Sequence, residues 1–322
     1  MVVIDDGSPE PLASIVKSFE IILNVKYYYK ANAGPGKARN FGMERANGNY
    51  FIFLDSDTIV PENYMSIVRN ALHIHYIDCY GGSDGAHIHF SVLQKAISFS
   101  MTSILTTGGI RGGKRHIGKF QPRSFNMGIS KRVFKETGGF GNLRIGEDSD
   151  LSLTIYNKGF ESSLIAGAKV YHKRRASLQK FARQVHEFGV ARPILNQRHP
   201  VDKKLTFWLP SLFLIGLLIA VFMWAASFFC GKSSYLILKI PLIIVSFFFV
   251  SIFIISSVKS KNIKVGILSV ITSLIQLCCY GFGFLKSWYY LNILKQKPEK
   301  IFPGHFYKDA FLFRQQTLET QS

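Results

Sequence analysis

The sequence predicts an α/β domain with a mixed, mainly parallel sheet and helices on both faces, followed by C-terminal transmembrane helices. Strand and helix patterns alternate over roughly the first 170 residues, which is typical of a sheet covered by helices. Three long apolar segments follow, and acidic pairs stand where strands end or a helix begins. The hydrophobic content of 48% excludes a disordered chain.

The predicted elements of the first unit, residues 1–172, follow one another in a simple order. A short strand ends at Asp5, KYYYK forms a second strand, and a helix over 38–46 is closed by Gly48. The strand YFIFL comes next, and a helix begins near Pro61, since proline suits a first turn. The remaining elements are an apolar helix, a strand, two helices and a last strand, at 89–105, 123–130, 131–140, 147–159 and 161–172.

The apolar segments predict a transmembrane region over residues 205–290. Residues 205–230 and 265–285 contain no charged side chain, and 235–258 contains only Lys239. Each segment reaches the roughly 20 apolar residues that a spanning helix needs. The third segment also carries Ser, Thr, Gln and Gly, so a re-entrant or packed helix remains an alternative to a third span. Residues 291–322 are predicted to be a polar tail.

The net charge of +19 indicates a membrane surface as partner. Much of it lies in residues 173–204, a basic amphipathic segment that we expect at the membrane interface in contact with lipids. Nucleic acid is not an expected partner, because no binding motif accompanies the charge. The N-terminus shows no signal peptide, which predicts a multi-pass protein of the cytoplasmic membrane whose first domain faces the cytosol.

Acidic residues mark the predicted site. Asp55 and Asp57 leave a strand with one residue between them, so both side chains can point to the same side. The two carboxylates repel each other unless a cation lies between them. Because carboxylates are hard oxygen ligands, Mg²⁺ or Mn²⁺ is the expected ion. The pattern DSD alone is not specific, because strand-end aspartates often only cap turns. Asp148 has a similar alternative as the N-cap of the helix that follows it.

Three longer motifs occur in the order VVIDDGSPE, NAGPGKARNFGMERANGNYFIFLDSD and GGFGNLRIGEDSDLSLTIYNKGF. In sequence and spacing, residues 2–172 resemble the family 2 glycosyltransferases, which have the GT-A fold, a Rossmann-like α/β architecture. The resemblance implies a transferase that uses a nucleotide-sugar donor and a divalent metal. Its acceptor is expected to be a lipid-linked or exported glycan, as in exopolysaccharide biosynthesis.

The resemblance also assigns residues to the donor. Asp5 and Asp6 resemble the acids that contact the base and ribose, and Lys37 and Arg39 fall in the segment near the nucleotide. The donor site is further expected to include three positions at or beside other motifs, namely Glu147, Arg183 and Gln184.

The catalytic and metal positions follow from the same resemblance. Asp55 resembles the acid that faces both ribose and metal, Asp57 the direct metal ligand, and Asp148 the catalytic base. His172, at the end of the last strand, is a candidate third ligand or phosphate contact, although a lone histidine is more often structural. Transfer in one displacement predicts inversion of the anomeric configuration.

The sequence leaves two alternatives open. The acceptor could be a polyprenyl phosphate. The chain could also be a catalytically impaired membrane scaffold, because the strand and helix that normally precede VVIDDGS in this family are not present before it.

Overall fold

The computed structural model describes residues 1–85, 90–107, 120–172, 177–228 and 232–307. The predicted basic segment, the transmembrane region and the polar tail each include positions outside these ranges. The strands of the described parts are β1 (Val2–Asp5), β2 (Lys26–Tyr29), β3 (Tyr50–Leu54), β4 (Thr58–Ile59), β5 (Cys79–Gly85), β6 (Asn126–Ser130) and β7 (Ser162–His172).

Twelve α-helices connect and follow these strands in the described ranges. Those of the first unit are α1 (Ala13–Phe19), α2 (Pro35–Arg45), α3 (Tyr64–Ile74), α4 (Val92–Thr102), α5 (Ile104–Thr107), α6 (Lys131–Thr137) and α7 (Glu147–Asn157). Those that follow are α8 (Leu178–Arg198), α9 (Leu209–Ala226), α10 (Lys232–Ser260), α11 (Ile263–Trp288) and α12 (Pro298–Ile301).

The sheet is mixed, as the sequence predicts. Its five-stranded part has the order β3-β6-β5-β7-β4, and β1 pairs with β2 in a separate parallel pair. Strand β6 runs antiparallel to both β3 and β5, whereas β5 and β7 are parallel. Strands β3, β5 and β7 therefore share one direction, whereas β4 and β6 run in the opposite direction.

Two apolar layers cover the five-stranded sheet. Met43 of α2, Val133 of α6 and Leu151 of α7 pack on one face together with Phe51. On the other face, a second cluster includes Tyr64, Val68, Tyr80, Ile165 and Val170, so that α3 covers this side. Helices thus lie on both faces, which confirms the predicted architecture.

Strand β5 was not predicted, although it lies inside the sheet. Its sequence CYGGSDG is poor in strand-forming residues. The glycines are needed for close backbone approach: a Cβ at Gly82 would lie 2.0 Å from the backbone oxygen of Ala168. The register with β7 also shifts between Gly82 and Ser83. Packing against β7 therefore stabilises a strand conformation that the local propensity of this sequence does not favour.

Three helices are long and apolar enough to cross a membrane, judged by length and composition over the described residues. They cover Leu205–Ala226, Lys239–Ser260 and Ile263–Ile293. The third helix is the most covered by protein. Of its most apolar stretch, 39% is buried, compared with 17% for the first helix and 11% for the second.

Helix α8 packs on the rest of the chain through its apolar face. Phe181 and Val185 of α8 form a cluster with Ile97 and Met101 of α4, and Ile275 of α11 packs against it. This face is therefore covered by protein, in contrast to the prediction that it lies in the membrane interface.

The segment that follows α11 returns to the first unit, which differs from the predicted polar tail. Phe302 and Phe306 are buried in a cluster with Leu143 and with Ile194 of α8. Phe306 forms an isolated antiparallel bridge with Leu143. The described part of the segment is thus packed on the α/β domain.

Candidate active site

The two acids that end β1 are held by loop backbone. Asp5 is buried, and its carboxylate accepts hydrogen bonds from the Tyr27 hydroxyl at 2.7 Å and from the Ser8 N–H at 2.8 Å. These bonds lower the pKa of Asp5 to about 2. Asp6 accepts from the N–H groups of Ala33 and Gly34 at 3.0 and 2.7 Å and pairs with Lys30. Asp6 therefore fixes the turn that leads into α2.

Asp55 and Asp57 lie in the tight turn between β3 and β4. The backbone oxygen of Asp55 accepts from both the N–H and the hydroxyl of Thr58, which stabilises the turn. Asp55 is half-buried and Asp57 is exposed. In the antiparallel pair of β4 and β7, Thr58 stands opposite His172. The backbone of the predicted third ligand is therefore next to the Asp55–Thr58 turn, while its side chain lies outside the described structure.

Arg39 joins two of the acidic segments. Its Nη2 donates to Asp55 Oδ1 at 2.6 Å, and its Nη1 lies 3.7 Å from Glu147 Oε1. The guanidinium also lies over the Phe140 ring, 5.3 Å from its centroid. Nη1 is buried and donates no hydrogen bond to the described residues. Arg39 is thus a largely buried cation between two carboxylates, and its Nη1 is unsatisfied among the described residues.

Glu147 begins α7 beside this cation. Burial raises the pKa of Glu147 from 4.5 to about 7, the charge of Asp148 adds to the rise, and Arg39 opposes it. The carboxyl group is therefore poised between its two protonation states near neutral pH.

Asp148 is oriented by a residue that the sequence did not indicate. Arg123 Nη1 donates to Asp148 Oδ1 at 3.2 Å and to Ser149 Oγ at 2.7 Å. The Ser149 N–H reaches the same Oδ1 at 2.7 Å. Among the described residues, every hydrogen bond to this carboxylate falls on Oδ1, so Oδ2 can accept a substrate proton. The sequence gives no signal for Arg123, which stands in none of the three motifs.

The remaining predicted donor residues lie on two helices, α2 and α8. Lys37 lies in the first turn of α2, with its ammonium 5.6 Å from the centroid of the Tyr307 ring. Arg183 is exposed on α8 and Gln184 is half-buried there. Neither residue is bonded to Arg39, Asp55 or Glu147 in the part of the chain that is described.

The carboxylates of Asp55 and Asp57 have the right chemistry for a divalent metal, but they are not part of a complete, preformed set of ligands. Over the described residues, no three His, Cys, Asp or Glu side chains group closely enough to hold an ion. Asp55 and Asp57 nevertheless supply two hard oxygen donors on one turn. Mg²⁺ is commonly bound by one or two carboxylates together with substrate phosphates, and this pair meets that requirement.

Sequence comparison gives the family of this domain. Residues 1–133 match the family described as glycosyl transferase family 2. The chain carries a family 2 glycosyltransferase domain. The matched stretch contains Asp5, Arg39 and Asp55, whereas Glu147 and Asp148 lie beyond it.

Two curated relatives of the family 2 domain come from bacteria. An uncharacterized glycosyltransferase of Rickettsia bellii is 36% identical over 67 residues, which are 21% of this chain and 10% of that protein. The minor teichoic acid biosynthesis protein GgaB of Bacillus subtilis is 29% identical over 186 residues, 54% of this chain and 19% of that protein. The chain therefore spans about a tenth to a fifth of the length of these two relatives.

A solved structure supports the fold of the family 2 domain. A mannosyltransferase of Pyrobaculum calidifontis, in complex with GDP-Man and Mn²⁺, superposes with a TM-score of 0.53 at 13% identity. The match covers 85% of this chain and 77% of that one. At this identity the likeness establishes the GT-A type of fold alone, which was predicted from the sequence.

Proposed function

We propose that this chain transfers a sugar, with inversion, from a UDP- or GDP-sugar to a hydroxyl group of a lipid-linked or exported glycan. The observation that carries the proposal is the convergence of three distant segments on Arg39. This residue of α2 contacts Asp55 after β3 and approaches Glu147 at the start of α7, beside Asp148. Its Nη1 has no hydrogen-bond partner among the described residues, and the side chains that bury it must move aside before it can donate to a phosphate oxygen.

Asp148 is proposed as the general base. Its carboxylate takes the proton of the acceptor hydroxyl while that oxygen forms a bond to the anomeric carbon. The bond from the anomeric carbon to the diphosphate breaks in the same step, and the electron pair leaves with the diphosphate oxygen. Because attack and departure occur on opposite sides of the carbon, the configuration inverts. Arg123 holds Asp148 Oδ1, which directs Oδ2 to the substrate.

Asp55, Asp57 and His172 are proposed as the residues that hold Mg²⁺ or Mn²⁺. A bound divalent ion would neutralise the negative charge that builds up on the departing nucleoside diphosphate. Asp5, Asp6, Lys37 and Arg39, together with Arg183 and Gln184, are proposed to surround the donor. For Asp5 this requires that some of its present loop bonds be exchanged for bonds to the donor.

The acceptor and the location are proposed from the apolar helices. Three helices with the length and composition of membrane spans support a site close to lipid. GgaB, one of the relatives, is named for minor teichoic acid biosynthesis, and this name favours a glycan acceptor. The proposed site therefore faces the cytosol at the cytoplasmic membrane, where nucleotide sugars are available.

Membranes that contain the full chain test the proposal. They are incubated with a panel of UDP- and GDP-sugars and Mn²⁺, and the lipid fraction is analysed by mass spectrometry. We expect one sugar to be added to a lipid-linked glycan. Asp148→Asn should abolish turnover while UDP or GDP still binds, and Asp57→Asn should remove the effect of Mn²⁺ on binding. Glu62→Gln, which changes an exposed acid on the segment after Asp57, should leave both unchanged.

The same measurements separate the alternatives. A sugar found on polyprenyl phosphate identifies that lipid as the acceptor. Absence of UDP and GDP binding in the unchanged protein contradicts the proposed enzyme and supports the scaffold. Turnover that survives Asp148→Asn contradicts the assignment of the base.

A further inference from the structure

Tyr307 reaches the candidate active site from the far end of the chain. The segment that carries it follows the last apolar helix and is anchored on the loop before α7. Tyr307 N–H donates to the backbone oxygen of Asn142 at 3.0 Å, and Arg144 N–H donates to that of His305 at 2.8 Å. His305 in turn lies 2.9 Å from Glu187 of α8. These contacts bring the Tyr307 side chain to the N-terminus of α2.

The Tyr307 side chain is fitted to the turn that begins α2. The residue is 8% exposed, and its hydroxyl accepts a hydrogen bond from the Gly36 N–H at 3.1 Å. A Cβ added at Gly34 would lie 2.1 Å from the Tyr307 ring, and Gly34 has a φ of +94°. The turn therefore needs glycine both for its backbone conformation and for the approach of this ring.

The same turn is held from its other side by Asp6. Asp6 accepts from Ala33 and Gly34, so the turn lies between a carboxylate of the β1 end and a phenol of the C-terminal segment. Arg39 follows one helical turn later and points to Asp55 and Glu147. Any change in the direction of the first turn of α2 thus moves the guanidinium.

The charges around the Tyr307 phenol are those of the candidate active site. Burial raises the pKa of the Tyr307 phenol, the charge of Glu147 raises it further, and Arg39 and Arg144 lower it. The phenol is thus within electrostatic reach of the same charged groups that Arg39 connects. A neutral hydroxyl at this position can accept from Gly36 without adding charge beside Glu147.

We infer that Tyr307 is a positioning residue of the candidate active site, which fixes the Gly34–Gly36 turn and, through α2, the guanidinium of Arg39. Its effect on donor binding rests on the proposed function, whereas its effect on the turn does not. Because Tyr307 is supplied after the last apolar helix, the site is completed only when the C-terminal segment is docked.

Tyr307→Phe in the purified full chain tests the inference, because it removes the hydroxyl and keeps the ring. Amide hydrogen exchange is followed by mass spectrometry on peptides that cover residues 33–40. The loss of one neutral hydrogen bond predicts exchange about three- to tenfold faster in this stretch. The Kd of UDP or GDP and the donor KM should rise by a similar factor, with a smaller change in kcat. Tyr307→Ala, which also removes the ring, should exceed Tyr307→Phe in both measurements.

Tyr289→Phe is the matched control, since it removes the hydroxyl of a half-exposed tyrosine just after α11. We expect it to change neither exchange at 33–40 nor nucleotide affinity. The inference is overturned if Tyr307→Phe leaves exchange unchanged, or if exchange accelerates while affinity and KM stay the same. If the unchanged protein binds neither UDP nor GDP, the proposed function fails, and the exchange result alone decides whether Tyr307 holds the turn.

Discussion

Replacement of Glu147 by glutamine should make the protein more stable at alkaline pH. A carboxyl group with a higher pKa in the folded than in the unfolded state disfavours folding when it is ionised. The pKa of Glu147 rises from 4.5 to about 7, chiefly because of burial. The penalty is therefore small below about pH 4.5, grows between pH 4.5 and 7, and is complete above pH 7.

The size of the effect follows from the shift. A rise from 4.5 to about 7 corresponds to about 3 kcal/mol of unfolding free energy at high pH. Between about pH 5 and pH 8, roughly 2 kcal/mol of this penalty develops. A glutamine side chain resembles the protonated carboxyl group in shape but does not ionise. For a domain of this size, the melting temperature of Glu147→Gln relative to the unchanged protein should rise by roughly 4–8 °C over that interval.

Thermal unfolding of both proteins in the same detergent, at about pH 5 and pH 8, measures this difference. Glu44→Gln is the control, because its carboxylate is 59% exposed and its removal should shift the melting temperature equally at both pH values. A Glu147→Gln difference that does not change with pH, or that favours the unchanged protein at pH 8, would refute the reasoning. The attraction of Arg39 would then outweigh the cost of burial.

Two further substitutions test the packing around the site. Asp150→Ala removes the buried carboxylate that Arg198 and His199 contact at 3.0 and 2.8 Å, and should lower the unfolding free energy by about 3 kcal/mol, seen as a lower melting temperature. Gly283→Ala introduces a Cβ only 2.4 Å from the His186 backbone oxygen, which must push α11 away from α8. We expect a loss of about 1–3 kcal/mol and faster amide exchange in α8, and unchanged exchange there would contradict the close helix contact.

The sequence predicted the site segments better than their connections. Asp55 follows the apolar strand YFIFL, and Glu147 begins a helix after a glycine with positive φ, so both positions depend on local patterns. Arg39 was expected near a diphosphate because of its motif. Its contact with both acids depends on the packing of α2 against the sheet, which no local pattern encodes.

Long-range contacts account for the features that were not predicted. Arg123 reaches Asp148 from a loop 25 positions away, and Tyr307 reaches Gly36 across 271 positions. Strand β5 is rich in glycine, which opposes strand propensity and yet suits its crowded place beside Ala168. The roles assigned to the site residues stay predictions until the variants above are measured.

The docked C-terminal segment restricts how the chain can thread a bilayer. Helix α8 leads from the glycosyltransferase domain to α9, and Phe306 after α11 packs back on the same domain. Entry and exit thus share a side, and a path with both ends on one side crosses an even number of times. On this reasoning, the three apolar helices are not all expected to be complete crossings. Helix α11 is the most covered by protein of the three described helices, and its Thr272 hydroxyl donates to the Ala96 backbone oxygen of α4. We therefore propose that α9 and α10 form a hairpin in the lipid and that α11 packs between this hairpin and the domain.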